Sequence, residues 1–227
     1  MENKKSQIKS KKRVADHGEV FTAEREVKAM CDLVKDETER LDSRFLEPAC
    51  GDGNFLVEIL SRKLAVLKKK YKKSYEEYEK FSVVAVGSIY GVELLQDNAE
   101  RCRERLFSIW DKEYTKVCKN NCTDEFRDVI KYLFKKNILC GNALSLKQVD
   151  ENQKDTEIPI IFSEWSLVTG NKIKRRDFRL DHLLDRKNNT PEIFENDLEY
   201  DSNTQTFIPK PIKEFPLIDF RRINQYE

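Results

Sequence analysis

Residues 45–53 read Phe-Leu-Glu-Pro-Ala-Cys-Gly-Asp-Gly, and this stretch most constrains what the chain can fold into. An apolar strand over 44–50 carries the carboxylate of Glu47 and runs into a Gly-x-Gly turn. Phe55 and Leu56 then open an apolar helical face. Glycine tolerates positive φ and lets a ligand approach the backbone closely, and a helix N-terminus favours a polar or anionic group. Glu47 can fix a cation or hydroxyls beside that turn. The third glycine of a dinucleotide fingerprint is missing, and nothing resembles a Walker lysine.

The surrounding pattern alternates helix and strand. A 3.6-residue period through Val27, Met30, Cys31, Val34 and Leu41 predicts a helix over 24–41. A long helix is expected over 54–80. Its first half is apolar on one face (Leu56, Ile59, Leu60, Leu64, Leu67), and Lys68 to Lys80 reads as a solvated extension. Residues 89–94 read as a second strand, 96–117 and 124–136 as helices, and 137–140 as a third strand. Such alternation argues an α/β fold with a right-handed, mostly parallel sheet. Residues 147–157 read as a polar loop. An apolar run over 158–168 ends at the turn Thr169-Gly170-Asn171, and the basic segment 172–178 returns as a hairpin partner. Residues 185–206 are polar and irregular, and Pro209, Pro211 and Pro216 mark an extended C-terminal tail.

At 227 residues the chain is long enough for one sizeable core. A net charge of +1 does not by itself announce a nucleic-acid partner. Charge is uneven, however: Lys4, Lys5, Lys9, Lys11, Lys12 and Arg13 make residues 1–13 a basic tail, either solvated or a phosphate-contacting arm. The six cysteines have no zinc spacing, so no metal site is expected. With no signal peptide and no apolar run near membrane-spanning length, the chain reads as cytoplasmic, with reduced thiols and no membrane partner.

The run Glu47-Pro48-Ala49-Cys50-Gly51-Asp52-Gly53-Asn54-Phe55-Leu56 resembles motif I of S-adenosylmethionine-dependent DNA methyltransferases. It is most similar to the adenine-N6 amino-methyltransferases of restriction-modification systems. The resemblance covers roughly residues 14–145. It implies a Rossmann-like core over 14–146, a partial parallel sheet with flanking helices, followed over 147–227 by a hairpin and extended region serving as partner or DNA interface. Gly18-Glu19-Val20-Phe21-Thr22 looks like motif X, which implies that Phe21 and Thr22 cover the methionine end of S-adenosylmethionine. Thr22 also suits the N-cap of the following helix. Glu47, Ala49, Cys50, Gly51 and Gly53 would lie beneath the cofactor. Glu93 stands where motif II has its acidic residue, accepting both ribose hydroxyls as only an acceptor-only group can, with Leu94 beside the adenine. It lies 46 positions after Glu47, a longer spacing that the 54–80 helix explains as an insertion. Gly141-Asn142-Ala143 matches motif III, with Asn142 in place of the usual aspartate.

The Asn/Asp/Ser-Pro-Pro-Tyr/Phe tetrapeptide that orients the target amino group in this family does not occur in the chain. Catalytic residues are therefore unassigned. Ile161-Phe162-Ser163-Glu164-Trp165 falls where the fourth strand is expected; Trp165 could stack a base or simply pack the hairpin. A short sheet would leave a bare edge, which proteins rarely tolerate. The resemblance thus implies a cofactor-binding part that works with a second protein chain bearing the Pro-Pro-aromatic motif and target recognition, and with DNA through the complex. A polypeptide ending before the catalytic motif would look the same. Two other readings stay open: a methyltransferase of RNA or protein with a divergent loop at Ser163–Trp165, and a non-catalytic assembly or DNA-tethering subunit.

Overall fold

The computed structural model describes residues 8–184, 198–201 and 206–226. The chain opens with α1 (Lys11–His17), N-capped by the Ser10 hydroxyl and ended by Gly18 in the left-handed region. The helix expected over 24–41 is broken into α2 (Glu24–Leu33) and α3 (Lys35–Thr38), because Val34 leaves the helical region at φ −123° and ψ 37°. Its N-cap is Ala23, without a side-chain cap, and not Thr22. Then come β1 (Phe45–Glu47) and α4 (Asn54–Tyr71). The single helix expected over 54–80 is in fact two: the chain turns at 72–74 and continues as α5 (Tyr75–Gly87). Ser74 caps α5 by accepting from the Glu77 amide at 3.3 Å. The solvated extension expected over Lys68–Lys80 holds up to Glu77, whereas Tyr78 and Glu79 are buried and α5 goes on to bury Ser82, Val83 and Val86.

β2 (Ile89–Glu93) and α6 (Gln96–Cys118) follow, then α7 (Asp124–Asn137) and β3 (Ile138–Cys140). The three strands form a parallel sheet with β2 in the centre, Phe45 opposite Ile89 and Gly91 opposite Ile138. Every residue of β2 is buried, as expected for a parallel strand covered on both faces. One face packs on the main core, which gathers Leu56, Leu60, Cys102 and Leu106. On the other, Tyr90 and Val92 meet Ile160, Phe162 and Leu180.

The polar loop expected over 147–157 is a short antiparallel hairpin, β4 (Lys147–Val149) with β5 (Asp155–Pro159). Beyond it, β6 (Ile161–Leu167) and β7 (Lys172–Arg179) form the expected hairpin around Gly170. After α8 (Leu180–Leu184), β8 (Leu198–Asp201) pairs with β9 (Thr206–Pro209). Most of the segment expected to be irregular, 185–197 and 202–205, lies outside the described residues. The proline-rich tail returns to the fold: β10 (Lys213–Glu214) and β11 (Ile218–Asp219) both pair with β7. The 3-10 helix Phe220–Gln225 then buries Phe220 and Ile223 in the main core. Trp165 also lies there, its indole N–H donating to Asn137 Oδ1 at 3.0 Å, so it packs the hairpin and offers no base a stacking face.

Two features fix where β1 sits. Lys63 of α4 is fully buried, and its ammonium donates to the carbonyls of Arg40 (2.6 Å), Leu41 (3.1 Å) and Ser43 (2.7 Å), clamping the loop that feeds β1. No described strand pairs with the outer edge of β1. The Phe45 amide donates inward to Ser88 O, so by strand alternation Leu46 turns its N–H and C=O outward. Among the described residues no helix is long and apolar enough to cross a membrane.

Candidate functional site

The turn after β1 is built tightly. The Cys50 amide donates to Val92 O at 2.9 Å and the Gly53 amide to Cys50 O at 2.8 Å. Gly51 (φ 54°) and Gly53 (φ 94°) both occupy the left-handed region. A Cβ on Gly53 would stand 2.6 Å from Cys102 Sγ, and one on Gly51 would stand 3.1 Å from the Phe21 ring. The glycines therefore admit α6 below and Phe21 above. Asn54 Nδ2 donates to Thr22 O at 3.0 Å, which ties the Phe21-Thr22 segment to the start of α4. Cys50 is buried beneath the turn, and its thiol is held well above the usual range by its hydrogen bond with Cys102 and by burial.

Glu93 ends β2 with its carboxylate turned into this turn. Its Oε2 accepts from the Gly51 amide at 2.8 Å, and its Oε1 accepts from the Leu95 amide at 3.1 Å and from Asn98 Nδ2 at 3.3 Å. A carboxylate offers about four acceptor positions, so one remains for a ligand hydroxyl. Two residues 42 positions apart, Gly51 and Glu93, thus meet.

Glu47 ends β1 in a different setting. It accepts one long bond, from the Ala49 amide at 3.4 Å, and burial raises its pKa. It borders an apolar slot of about 190 Å³ lined by Met30, Val34, Phe45, Leu46, Phe55 and Ile59. Met30, Val34 and Leu46 are all exposed there.

Gly141 joins the site through its backbone, its amide donating to Glu93 O at 2.9 Å. The Asn142 side chain makes an Asx turn: Oδ1 accepts from the Leu144 amide and Nδ2 donates to Asp155 Oδ1, both at 2.9 Å. Its Oδ1 keeps one lone pair. Ala143 packs with Tyr90 and Val92 on the far face of the sheet, and Leu94 is half-buried beside Glu93.

Sequence reasoning missed three polar residues here. Arg105 of α6 donates to Asp52 O at 2.7 Å and to Asn54 Oδ1 at 3.0 Å, pinning the turn. Asn98 bridges Glu93 to Glu19. Arg13, placed in a basic tail, forms a double fork with Glu19 and Asp97. Only Asn98 left a local signal, one helical turn beyond Glu93. No group of His, Cys, Asp and Glu able to hold a metal occurs among the described residues.

Residues 21–171, about two thirds of the chain, match a protein-family profile described as the MmeI DNA-methyltransferase domain. The chain belongs to this family. The match begins at Phe21 and runs through motifs I to III into the turn of the β6–β7 hairpin, so the parallel sheet and its glycine turn are those of a DNA methyltransferase domain. α1 lies ahead of the match, and β7 to β11 lie beyond it. No curated protein and no solved structure matches the chain.

Proposed function

We propose that this methyltransferase domain binds S-adenosylmethionine across the ends of β1 and β2 and serves methylation of adenine N6 in DNA within a restriction-modification system. The observation that carries the reading is the Glu93–Gly51 hydrogen bond, which brings an acceptor-only carboxylate to the glycine turn with lone-pair capacity to spare. The residues fit the cofactor in three respects. The left-handed glycines set the tight turn after β1, Phe21 supplies an apolar cover over it, and Glu93 keeps one acceptor position for a ribose hydroxyl. Asn142 Oδ1 has one lone pair for the adenine amino group, and Leu94 lies beside it, whereas Ala143 packs on the far face of the sheet. Thr22, Glu47, Ala49 and Cys50 complete the methionine side.

S-adenosylmethionine, when bound, supplies a methyl group activated by its sulfonium. The chain's own part is to orient it: the 50–53 turn and Glu93 fix the adenosine, and Phe21 shields it from water. None of these groups needs to move a proton. The acceptors for the target amino group belong to a Pro-Pro-aromatic tetrapeptide that these 227 residues do not contain. We place that motif on a second protein chain, which also brings DNA recognition. The outward backbone of Leu46, with apolar side chains on either side of it, favours a strand of that partner beside β1, ending level with Glu47.

Calorimetric titration of the purified chain with S-adenosylmethionine tests the cofactor half. Micromolar binding that Glu93→Ala weakens is expected; equal binding by wild type and Glu93→Ala would remove the assignment. Co-expression with neighbouring reading frames that encode the tetrapeptide, assayed for N6-methyladenine in DNA, tests the partner.

A further inference from the structure

A charged relay runs from the N-terminal helix to the Glu93 carboxylate. Arg13 of α1 donates from Nε to Glu19 Oε2 at 2.6 Å and from Nη2 to Glu19 Oε1 at 2.9 Å. It also grips Asp97 at 2.8 and 3.0 Å. Glu19 Oε1 in turn accepts from Asn98 Nδ2 at 2.6 Å, and the same nitrogen donates to Glu93 Oε1 at 3.3 Å. Lys9 donates to Asn98 Oδ1 and to Asp97, and its ammonium lies 5.9 Å from the Phe21 ring centre.

Two nearly buried carboxylates, with 7% of the Glu19 side chain and 8% of the Glu93 residue exposed, therefore share one amide nitrogen. Like charges so close repel unless one is neutralised. Burial would raise the Glu19 pKa, yet the hydrogen bonds from Arg13 and Asn98 hold it below the usual range, so Glu19 is ionised and depends on Arg13. Asp97 is more than half exposed and keeps Lys9, so losing Arg13 matters far less to it.

We propose that Arg13 is a positioning residue for the cofactor site: by neutralising Glu19 it lets Asn98 hold the Glu93 carboxylate against the Gly51 amide. The proposal rests on Glu93 being the ribose-binding carboxylate, and it assigns a role to residues ahead of the family match. The alternative role for the same bonds is a strap that merely fastens α1 to α6.

The two roles separate in a charge-compensation cycle of Arg13→Gln, Glu19→Gln and the double variant. Two quantities are read: S-adenosylmethionine affinity by calorimetry, and hydrogen exchange of the 50–53 amides without cofactor. Arg13→Gln is expected to weaken affinity about tenfold and to speed exchange at Gly51, as expected when a buried charge loses its partner. Glu19→Gln alone should stay within about threefold of wild type, and the double variant should recover to the Glu19→Gln level. A double variant as impaired as Arg13→Gln, or an Arg13→Gln protein that binds normally with Gly51 protected, overturns the proposal. If wild type binds no S-adenosylmethionine, the cofactor reading fails by itself, and the exchange series still decides the role of Arg13.

Discussion

The ends of β1 and β2 are neighbours in one sheet, each finished by a glutamate, and they are in opposite states. Glu93 accepts three hydrogen bonds and is held by elements reaching back to α1. Glu47 accepts one long bond and faces an apolar slot whose lining residues are exposed. β2 is covered on both faces and paired on both edges, whereas no described strand pairs with the outer edge of β1. The Glu93 end is thus satisfied by groups among the described residues, while the β1 side keeps the geometry of an unfinished sheet.

Four substitutions break or sharpen this contrast. Lys63→Met should have the largest effect, because it orphans the Arg40 and Ser43 carbonyls in the loop feeding β1 and leaves Leu41 O with Ser88 alone, a loss of about 3 kcal/mol in a denaturant titration. Burial also lowers the Lys63 pKa from 10.5 to about 7. The unfolded chain then binds more protons between those values, so wild-type stability should rise from about pH 7 to about pH 10. The methionine variant should lose that slope.

Glu93→Ala comes next. It should weaken S-adenosylmethionine binding ten- to a hundredfold, or about 1.5–3 kcal/mol for bonds to a charged group. Melting should show a smaller loss, since three donors at Gly51, Leu95 and Asn98 lose their acceptor. Leu46→Lys should leave thermal stability within about 0.5 kcal/mol, as for an exposed site, while abolishing co-purification of the motif-bearing partner. A destabilised Leu46→Lys protein would mean that this edge is already covered. Glu47→Gln should be the mildest. Because burial raises the Glu47 pKa, the folded state binds more protons than the unfolded one. Wild-type stability should fall as pH rises from the unfolded carboxyl value through the raised folded one, and the glutamine variant should flatten that fall.

What the sequence revealed follows the range of each interaction. The strand, glycine turn and helix of residues 45–56 are local, so their shape could be read directly. β2, β3 and the β6–β7 hairpin were equally visible as apolar runs bounded by turns. The break before α5 has a local signal too, the Ser74-Tyr75-Glu76-Glu77 cap, but no glycine or proline accompanies it and the lysine-rich composition masked it. The β4–β5 hairpin was hidden because its turn is organised by polar groups, with Asp150 Oδ1 accepting from the Asn152 and Lys154 amides. At the site, Gly51 and Glu93 could be paired by motif, whereas the bonds from Arg13 to Asp97 span 84 positions and leave no pattern in either segment. The tail is extended through β10 and β11, as its prolines suggest, but its docking has no local signal: Phe215, Phe220 and Tyr226 are buried where the tail packs on β7, α7 and α5.

Trp165 sits where the second sheet meets the helices of the first, against Gly87, Tyr132 and Tyr226, with the Arg175 guanidinium 5.4 Å from its ring. The chain's other tryptophan, Trp110, is sealed inside the helical core. A Trp110→Phe protein therefore carries a single tryptophan, which can be excited selectively over the tyrosines, at the joint between the two layers. Its emission wavelength and quenching would report, without any label, whether the C-terminal sheet stays docked when S-adenosylmethionine is added.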